Sequence, residues 1–371
     1  MGQSQASSPS TMRELAAALK ISAATVSLAL RNHPRVAQKT RLHVQAFARE
    51  KGYHLNPAIT LMMSHVRASR PAQYTETFAW LNLWESPDYF SNGNLPTRIE
   101  YHQQMWEGAH ARAEELGYSL DTFWLSAPNM SGRRISAILA ARGIRGILIP
   151  PIPRSCGHLT LDWNAISAVA LSYTLARPLL HRVVPDHHYN MGLILRTLRH
   201  RGFKRIGLLL PSDFDERCEN RVRSAFYFYQ HGLLARDRVP VLLCHRFLGA
   251  TCATWLKKHR PEVVITVGSF RHLREIQIGD PSYSKKLGIV LIGYARTDVG
   301  FTAVEENPFL IGSTGIDCLV TQLNHNKPGI PANPETVLIK GAWVEGQTLP
   351  GKQYTARPVK PRADLWPVPA P

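Results

Sequence analysis

Asp186, His187 and His188 stand in a row within "VVPDHH", and Cys244 directly precedes His245. A carboxylate beside imidazoles could move protons, and a thiol beside an imidazole could act as nucleophile and base. The spacing argues against both. Adjacent histidines point in different directions on most backbones, so they make a poor metal or proton-transfer pair. No G-x-S-x-G, P-loop or G-x-G-x-x-G accompanies them. The five cysteines, Cys156, Cys218, Cys244, Cys252 and Cys318, form no C-x-x-C. Their odd number and spacing fit reduced thiols rather than a disulfide framework or a zinc site. The chain therefore reads as a non-enzyme with no metal site and no cofactor.

A different chemistry is concentrated at the other end. "ISAATVSLAL", residues 21–30, carries two serines and a threonine among alanines and larger apolar residues, with no charge. Its surroundings are basic: residues 1–70 hold ten Lys plus Arg against two acids, Glu14 and Glu50, in a chain of net charge +17. Such a balance suits a polyanionic partner. Hydroxyls at a helix start, where backbone N–H groups also gather, suit phosphate.

The elements that would position these groups can be read from caps and breakers. Residues 1–10 are Ser/Gln-rich and read as a disordered tail. Thr11 and Glu14 form a T-x-x-E capping box for a helix through about Leu19. Ser22 can cap a second helix, Ala23 to Leu30, which "RNHPRV" breaks. A third runs from about Gln38 to Lys51 and ends at Gly52. Two short helices joined by "LKIS", then a third, make a helix-turn-helix pattern over residues 11–56. Residues 57–74 read as a short hinge helix and linker.

From about residue 75 strands and helices alternate. Strands are expected at "TFAWLNLW", "SLDTFWL", "IRGILIPP", "SAVALS", "RIGLLLP", "VPVLLC", "PEVVITVG" and "LGIVLIG", with amphipathic helices between most of them. Repeated strand–helix units predict parallel sheets covered on both faces. Eight strands are better divided between two α/β lobes than held in one sheet, so residues 75–349 read as a two-lobed core. Residues 350–371 carry six prolines and read as a loose tail. No apolar run reaches the roughly 18 residues that span a bilayer, and "MGQSQASSPS" lacks a secretory pattern, so a cytoplasmic protein without a membrane partner is expected.

Residues 11–57 contain "T-x-x-x-x-A", "S-x-x-T-V-S-x-x-L", "V-x-x-x-T-R-x-x-V" and "GY-x-x-N" in order and without a gap. This stretch resembles the DNA-binding segment of the LacI/GalR family of bacterial transcription regulators. "VVPDHHYNMGLILRTLRHRGFKRIGLLL", "IVLIGYARTDVG" and "IKGAWVEGQTL" extend the resemblance into the core. It implies a type I periplasmic-binding-protein-like fold for the two lobes. It also implies a homodimer on double-stranded operator DNA, with repression as the family default and a small-molecule effector, in one reading carbohydrate-derived, between the lobes.

Residue by residue, the resemblance makes Ala23, Ala24 and Leu28 the base readers of the recognition helix. Alanine offers only a methyl, and Leu28 cannot make a bidentate guanine contact. Ser22, Thr25, Ser27, Thr11 and Thr40 would meet phosphates, with Arg31 and Arg35 adding charge. "NPAITLMM" aligns with the hinge helix, making Met62 the minor-groove wedge with Ile59 beside it. Cleft residues come from loops at strand C-termini, which selects Trp84, Glu85, Asp186, Arg221, Tyr294 and Arg296. Arg217 and Arg223 compete with Arg221. Ala295 replaces a family acid, and Gly268-Ser269 replaces a family Asn-Asp pair. Both departures are from groups that hold sugar hydroxyls, which argues against a simple monosaccharide.

Overall fold

A computed structural model of the 371-residue chain describes residues 12–30, 35–51, 53, 76–84, 96–153, 155–244, 249–268, 281–293 and 300–350. The N-terminal module holds α1 (Met12–Ala18), α2 (Ala23–Leu30) and α3 (Gln38–Glu50). The turn after α1 puts Lys20 in the left-handed region, φ 52°. There the Ile21 N–H donates to Ala16 O at 3.0 Å and the Lys20 N–H to Ala17 O at 3.2 Å. This is a Schellman stop, with lysine where glycine is usual. Leu15, Val26, Ala29 and Val44 are fully buried, and Ile21, Leu30 and Phe47 pack around them. Small apolar residues at helical spacing are what let three short helices close on one another.

The core then runs β1 (Thr77–Asn82), α4 (Pro96–Glu115), β2 (Ser119–Trp124), α5 (Gly132–Ala141), β3 (Gly146–Ile149), β4 (Gly157–His158), β5 (Ser167–Ala170), β6 (Leu175–Arg177) and β7 (His181–Pro185). It continues through α6 (His187–His200), β8 (Ile206–Pro211), α7 (Ser212–Arg217), α8 (Arg221–His231), β9 (Leu242–Cys244), α9 (Gly249–His259), β10 (Val263–Val267), α10 (Pro281–Lys286) and β11 (Gly288–Ile292). Then follow β12 (Thr302–Glu305), α11 (Pro308–Asn324), β13 (Thr336–Ile339) and β14 (Ala342–Val344).

Two six-stranded sheets result. The first has the order β13-β7-β5-β3-β1-β2 and the second β14-β12-β11-β10-β8-β9. All pairs in the first are parallel. In the second only β14 runs antiparallel, on β12. Strands such as "GILI" of β3, "VVITV" of β10 and "GIVLI" of β11 are buried at every position. That is the signature of parallel strands covered on both faces. Each sheet carries one apolar cluster per face: Phe78, Leu148 and Ile316 on one side of the first and Ile135, Ile147 and Ala168 on the other. The second has Ile194, Leu208 and Phe226 on one side and Leu209, Leu256 and Ile289 on the other.

The eight expected strands are all present. β4, β6, β7, β12, β13 and β14 were not expected. Of these, β7, β12, β13 and β14 are where the chain passes between lobes. It leaves the first sheet after β7 for α6, returns after β12 through Asn307 to α11, and crosses again between β13 and β14. At these points no helix of the same lobe follows, so the alternation that reveals the other strands is broken.

Candidate functional site

Ser22 is the cap of α2. Its Oγ accepts the Thr25 N–H at 3.0 Å and lies 2.8 Å from Thr25 Oγ1. Ala23 and Ala24 follow directly and are both exposed. The start of α2 thus shows solvent a pair of methyls and unpaired helix N–H groups, with no bulk to hold a neighbouring surface away. Gln45 Nε2 of α3 donates to Ala29 O at 3.0 Å and so ties α3 to the last turn of α2. Leu28 is half-buried and packs on the module's apolar cluster. Ser27 and Thr40 are half-buried and Arg35 is exposed. Ala37 stands at the N-cap of α3 and supplies no side-chain cap. Thr11, Arg31, Ile59 and Met62 lie outside the described residues.

The second site lies where the lobes meet, and α7 and the turn after it build most of it. Arg217, at the end of α7, donates through Nη1 to Ile152 O at 2.6 Å and Pro153 O at 2.7 Å, across on the first lobe. Its guanidinium stands 5.9 Å from the centre of the Trp84 ring. Trp84 is buried, and its Nε1 donates to Pro151 O at 2.9 Å. Glu219 and Asn220 follow with φ of 53° and 58°, two consecutive left-handed non-glycine residues. This kink costs order of 1–3 kcal/mol per residue. It places Glu219 where Arg182 of the first lobe reaches it at 3.1 Å and Arg221 at 3.0 Å. Arg221 lies 4.5 Å over the Tyr173 ring and Arg182 5.7 Å from it. Burial pushes the Tyr173 hydroxyl up to about 12 against the pull of Arg221.

Asp186 follows β7 and caps α6, with Oδ1 accepting the Tyr189 N–H at 2.9 Å. His187, the first residue of α6, is buried, and its Nδ1 lies 3.0 Å from Oε1 of the equally buried Glu306. Burial alone would lower the His187 pKa. Neighbouring Cys218 and Glu306 outweigh it and hold the imidazole well above its ordinary value. Tyr101 of α4 faces the same pair, and burial, with Glu306 and Cys218 adding, pushes its hydroxyl well up. Asp215, buried and 3.0 Å from Arg223, is pushed up by burial while Arg223 pulls it down.

Trp84, Asp186 and Arg221 are thus brought to the lobe junction, while Glu85, Tyr294 and Arg296 lie outside the described residues. Arg182, Tyr173, Glu219, Cys218 and Glu306 were not singled out as site residues. His187 was, as part of a weak acid–base set. Of the two arginines that compete with Arg221, Arg217 reaches the first lobe and Arg223 pairs with Asp215. No local spacing marks Tyr173 or Glu306, because their partners are distant in sequence.

Residues 11–56 match the family described as "Bacterial regulatory proteins, lacI family". The N-terminal module is of the lacI family. The core joined to it has the fold found in such regulators. A Lacl-family transcriptional regulator from Rhizobium etli has a TM-score of 0.55 at 18% identity, covering 74% of this chain and 98% of its own. The transcriptional regulator CelR in complex with cellobiose scores 0.53 at 15% identity, over 91% and 99%. A lac repressor dimer bound to operator and an anti-inducer scores 0.50 at 17% identity, over 92% and 99%. No curated protein matches the chain significantly. In the lacI-family module the exposed alanines at the start of α2 stand on the helix that such a unit lays in the major groove. Among the described residues no helix is long and apolar enough to cross a membrane.

Proposed function

We propose that this protein is a transcription regulator, a repressor, that grips operator DNA as a homodimer and releases or tightens that grip when a small molecule enters between its lobes. The observation that carries the reading is the bare, capped start of α2 in a lacI-family module joined to a two-lobed core. Ala23 and Ala24 approach base edges, Ser22, Thr25 and Ser27 meet phosphates, and Thr40 and Arg35 add contacts. Thr11, Arg31 and the Ile59–Met62 wedge belong to the same interface.

Between the lobes, Arg217 and Arg182 are spent across the junction on carbonyls and on Glu219, and Arg221 is spent on the same Glu219. A ligand bound there, against Trp84, Asp186, Arg221 and the Glu85, Tyr294 and Arg296 segments, must exchange contacts with this clasp. It thereby shifts the balance between lobe arrangements. A two-fold dimer predicts a pseudo-palindromic operator.

The test is recovery of bound genomic fragments, followed by fluorescence anisotropy on the recovered site. Binding should weaken steeply between low and high salt and vanish on deletion of residues 1–64. Affinity unchanged by salt, or retained by the truncated protein, would refute the reading.

A further inference from the structure

The Glu219 carboxylate is held by an arginine from each lobe. Its Oε1 accepts from Arg182 Nη1 at 3.1 Å, and its Oε2 accepts from Arg221 Nη2 at 3.0 Å and Nε at 3.3 Å. Arg182 lies in β7 of the first lobe, and Arg221 opens α8 of the second. Two guanidiniums that meet one carboxylate, each at its own oxygen, form a cradle with the shape and charge of that group. The Tyr173 ring is its floor, 4.5 Å from the Arg221 guanidinium and 5.7 Å from that of Arg182. The three charged side chains differ in access. That of Arg182 is 9% exposed, while those of Glu219 and Arg221 are 44% and 49% exposed. Solvent therefore reaches the carboxylate and the outer guanidinium, and the inner guanidinium depends on what the cradle holds. The neighbouring arginines have other partners: Arg217 the Ile152 and Pro153 carbonyls, and Arg223 the Asp215 side chain, which is only 1% exposed. Glu219 also sits on a left-handed backbone, φ 53°, which residues with a Cβ seldom adopt. Of the two carboxylates paired to arginines here, Glu219 is the one placed to exchange.

We propose that Arg182 and Arg221 are a carboxylate site for the effector, which Glu219 fills until the effector's own carboxylate takes its place. This rests on the reading that the lobe junction takes the effector. Charge selects the ligand class. When Glu219 swings out, the nearly buried Arg182 guanidinium loses its counter-charge, which is strongly unfavourable. A neutral sugar brings only hydroxyls and leaves that charge uncompensated. A carboxylate on the ligand restores the contacts to both arginines with the same two oxygens, and the Glu219 backbone is released from its left-handed setting. The ligand then joins the two lobes where Glu219 had joined them. The effector class is a small carboxylic acid, ionised at neutral pH.

Glu219→Gly empties the cradle and suits the left-handed backbone. The full-length native protein and this variant would be melted in rising concentrations of acetate, or of acetamide as its neutral counterpart, with ionic strength held constant by sodium chloride. A compound that binds the folded chain raises its melting temperature. Acetate should do so for Glu219→Gly at a half-saturating concentration roughly tenfold below that of the native protein, where it has to compete with Glu219. Acetamide should raise neither. Adding Arg221→Gln, a change at an exposed side chain, should abolish the acetate effect. Where Glu219→Gly lacks a cooperative transition, Glu219→Asn carries the same comparison, since Asn also accepts this backbone. Acetate and acetamide acting alike on the variant, equal half-saturation for variant and native protein, or an acetate effect that survives Arg221→Gln would overturn the proposal. The measurement needs no DNA, so a failure to bind operator would strike the regulatory reading and leave the carboxylate site standing.

Discussion

Among the described residues of the N-terminal module the buried ones are apolar, and Ser22, Ala23 and Ala24 at the start of α2 are exposed. Between the lobes the arrangement is reversed: Glu306, His187 and Asp215 are buried, and the arginines around them are engaged with carboxylates and carbonyls. The module is held by ordinary hydrophobic closure and keeps its polar chemistry for a partner. The junction holds itself together with polar chemistry. A surface of the first kind is ready to bind as it stands. One of the second kind changes state when it binds.

The largest effect that would test this contrast is at the buried pair. Replacing His187 with Gln leaves Glu306 buried without its counter-charge and should cost about 3–5 kcal/mol. Replacing both with Gln should cost less than His187→Gln alone. Urea unfolding of the two proteins checks this, and additive costs would mean the pair is not coupled. Next in size is Leu15→Ala in the module, where a buried Leu-to-Ala change costs about 2–5 kcal/mol. Closed by so few side chains, the module should unfold and operator binding disappear, while the melting of the core stays unchanged. A core that melts early in this variant would show that the two regions stabilise each other.

A third test uses pH. The His187 pKa is raised in the folded state, so the folded chain binds a proton more tightly than the unfolded one. The stability from this pair is fully present below the ordinary imidazole pKa of about 6.5 and is lost as pH rises through the folded value. Core stability measured in urea should therefore fall as pH rises from 6.5 into the alkaline range, and His187→Gln should remove that slope. The smallest effects belong to the caps. Ser22→Ala should cost about 1 kcal/mol of module stability, and Ala37→Ser should return a comparable amount at α3. Both are readable as shifts in the module's melting, with operator affinity following the first.

The module could be read in detail because its instructions are local. Ser22 and Thr25 lie within one turn, and the bounds of α2 fall where the cap and the breaker place them. The eight strands flanked by helices were legible for the same reason. β7, β12, β13 and β14 were not, because each stands next to a change of lobe. β13 also lies at a sheet edge with Thr336, Val337 and Leu338 exposed, so it shows no buried pattern. The rule that cleft residues follow strand ends brought Trp84, Asp186 and Arg221 to the junction. It could not find Arg182 within β7 or Tyr173 in a turn, nor pair Glu219 with an arginine 37 positions away. The left-handed kink that aims Glu219 has no glycine to announce it.

The three passages between lobes also set an order of assembly during synthesis. The first sheet lacks its edge strand until residues 336–339 exist, and the second lacks β14 until residues 342–344 follow. A chain growing from its N-terminus can close the small module early, since that needs only the first stretch of residues. Neither lobe can be completed until almost all of the chain has left the ribosome. During that interval the apolar edges of both unfinished sheets stand open to other chains. The N-terminal module is therefore complete well before either lobe, and the interval lasts as long as the ribosome takes to reach β13 and β14.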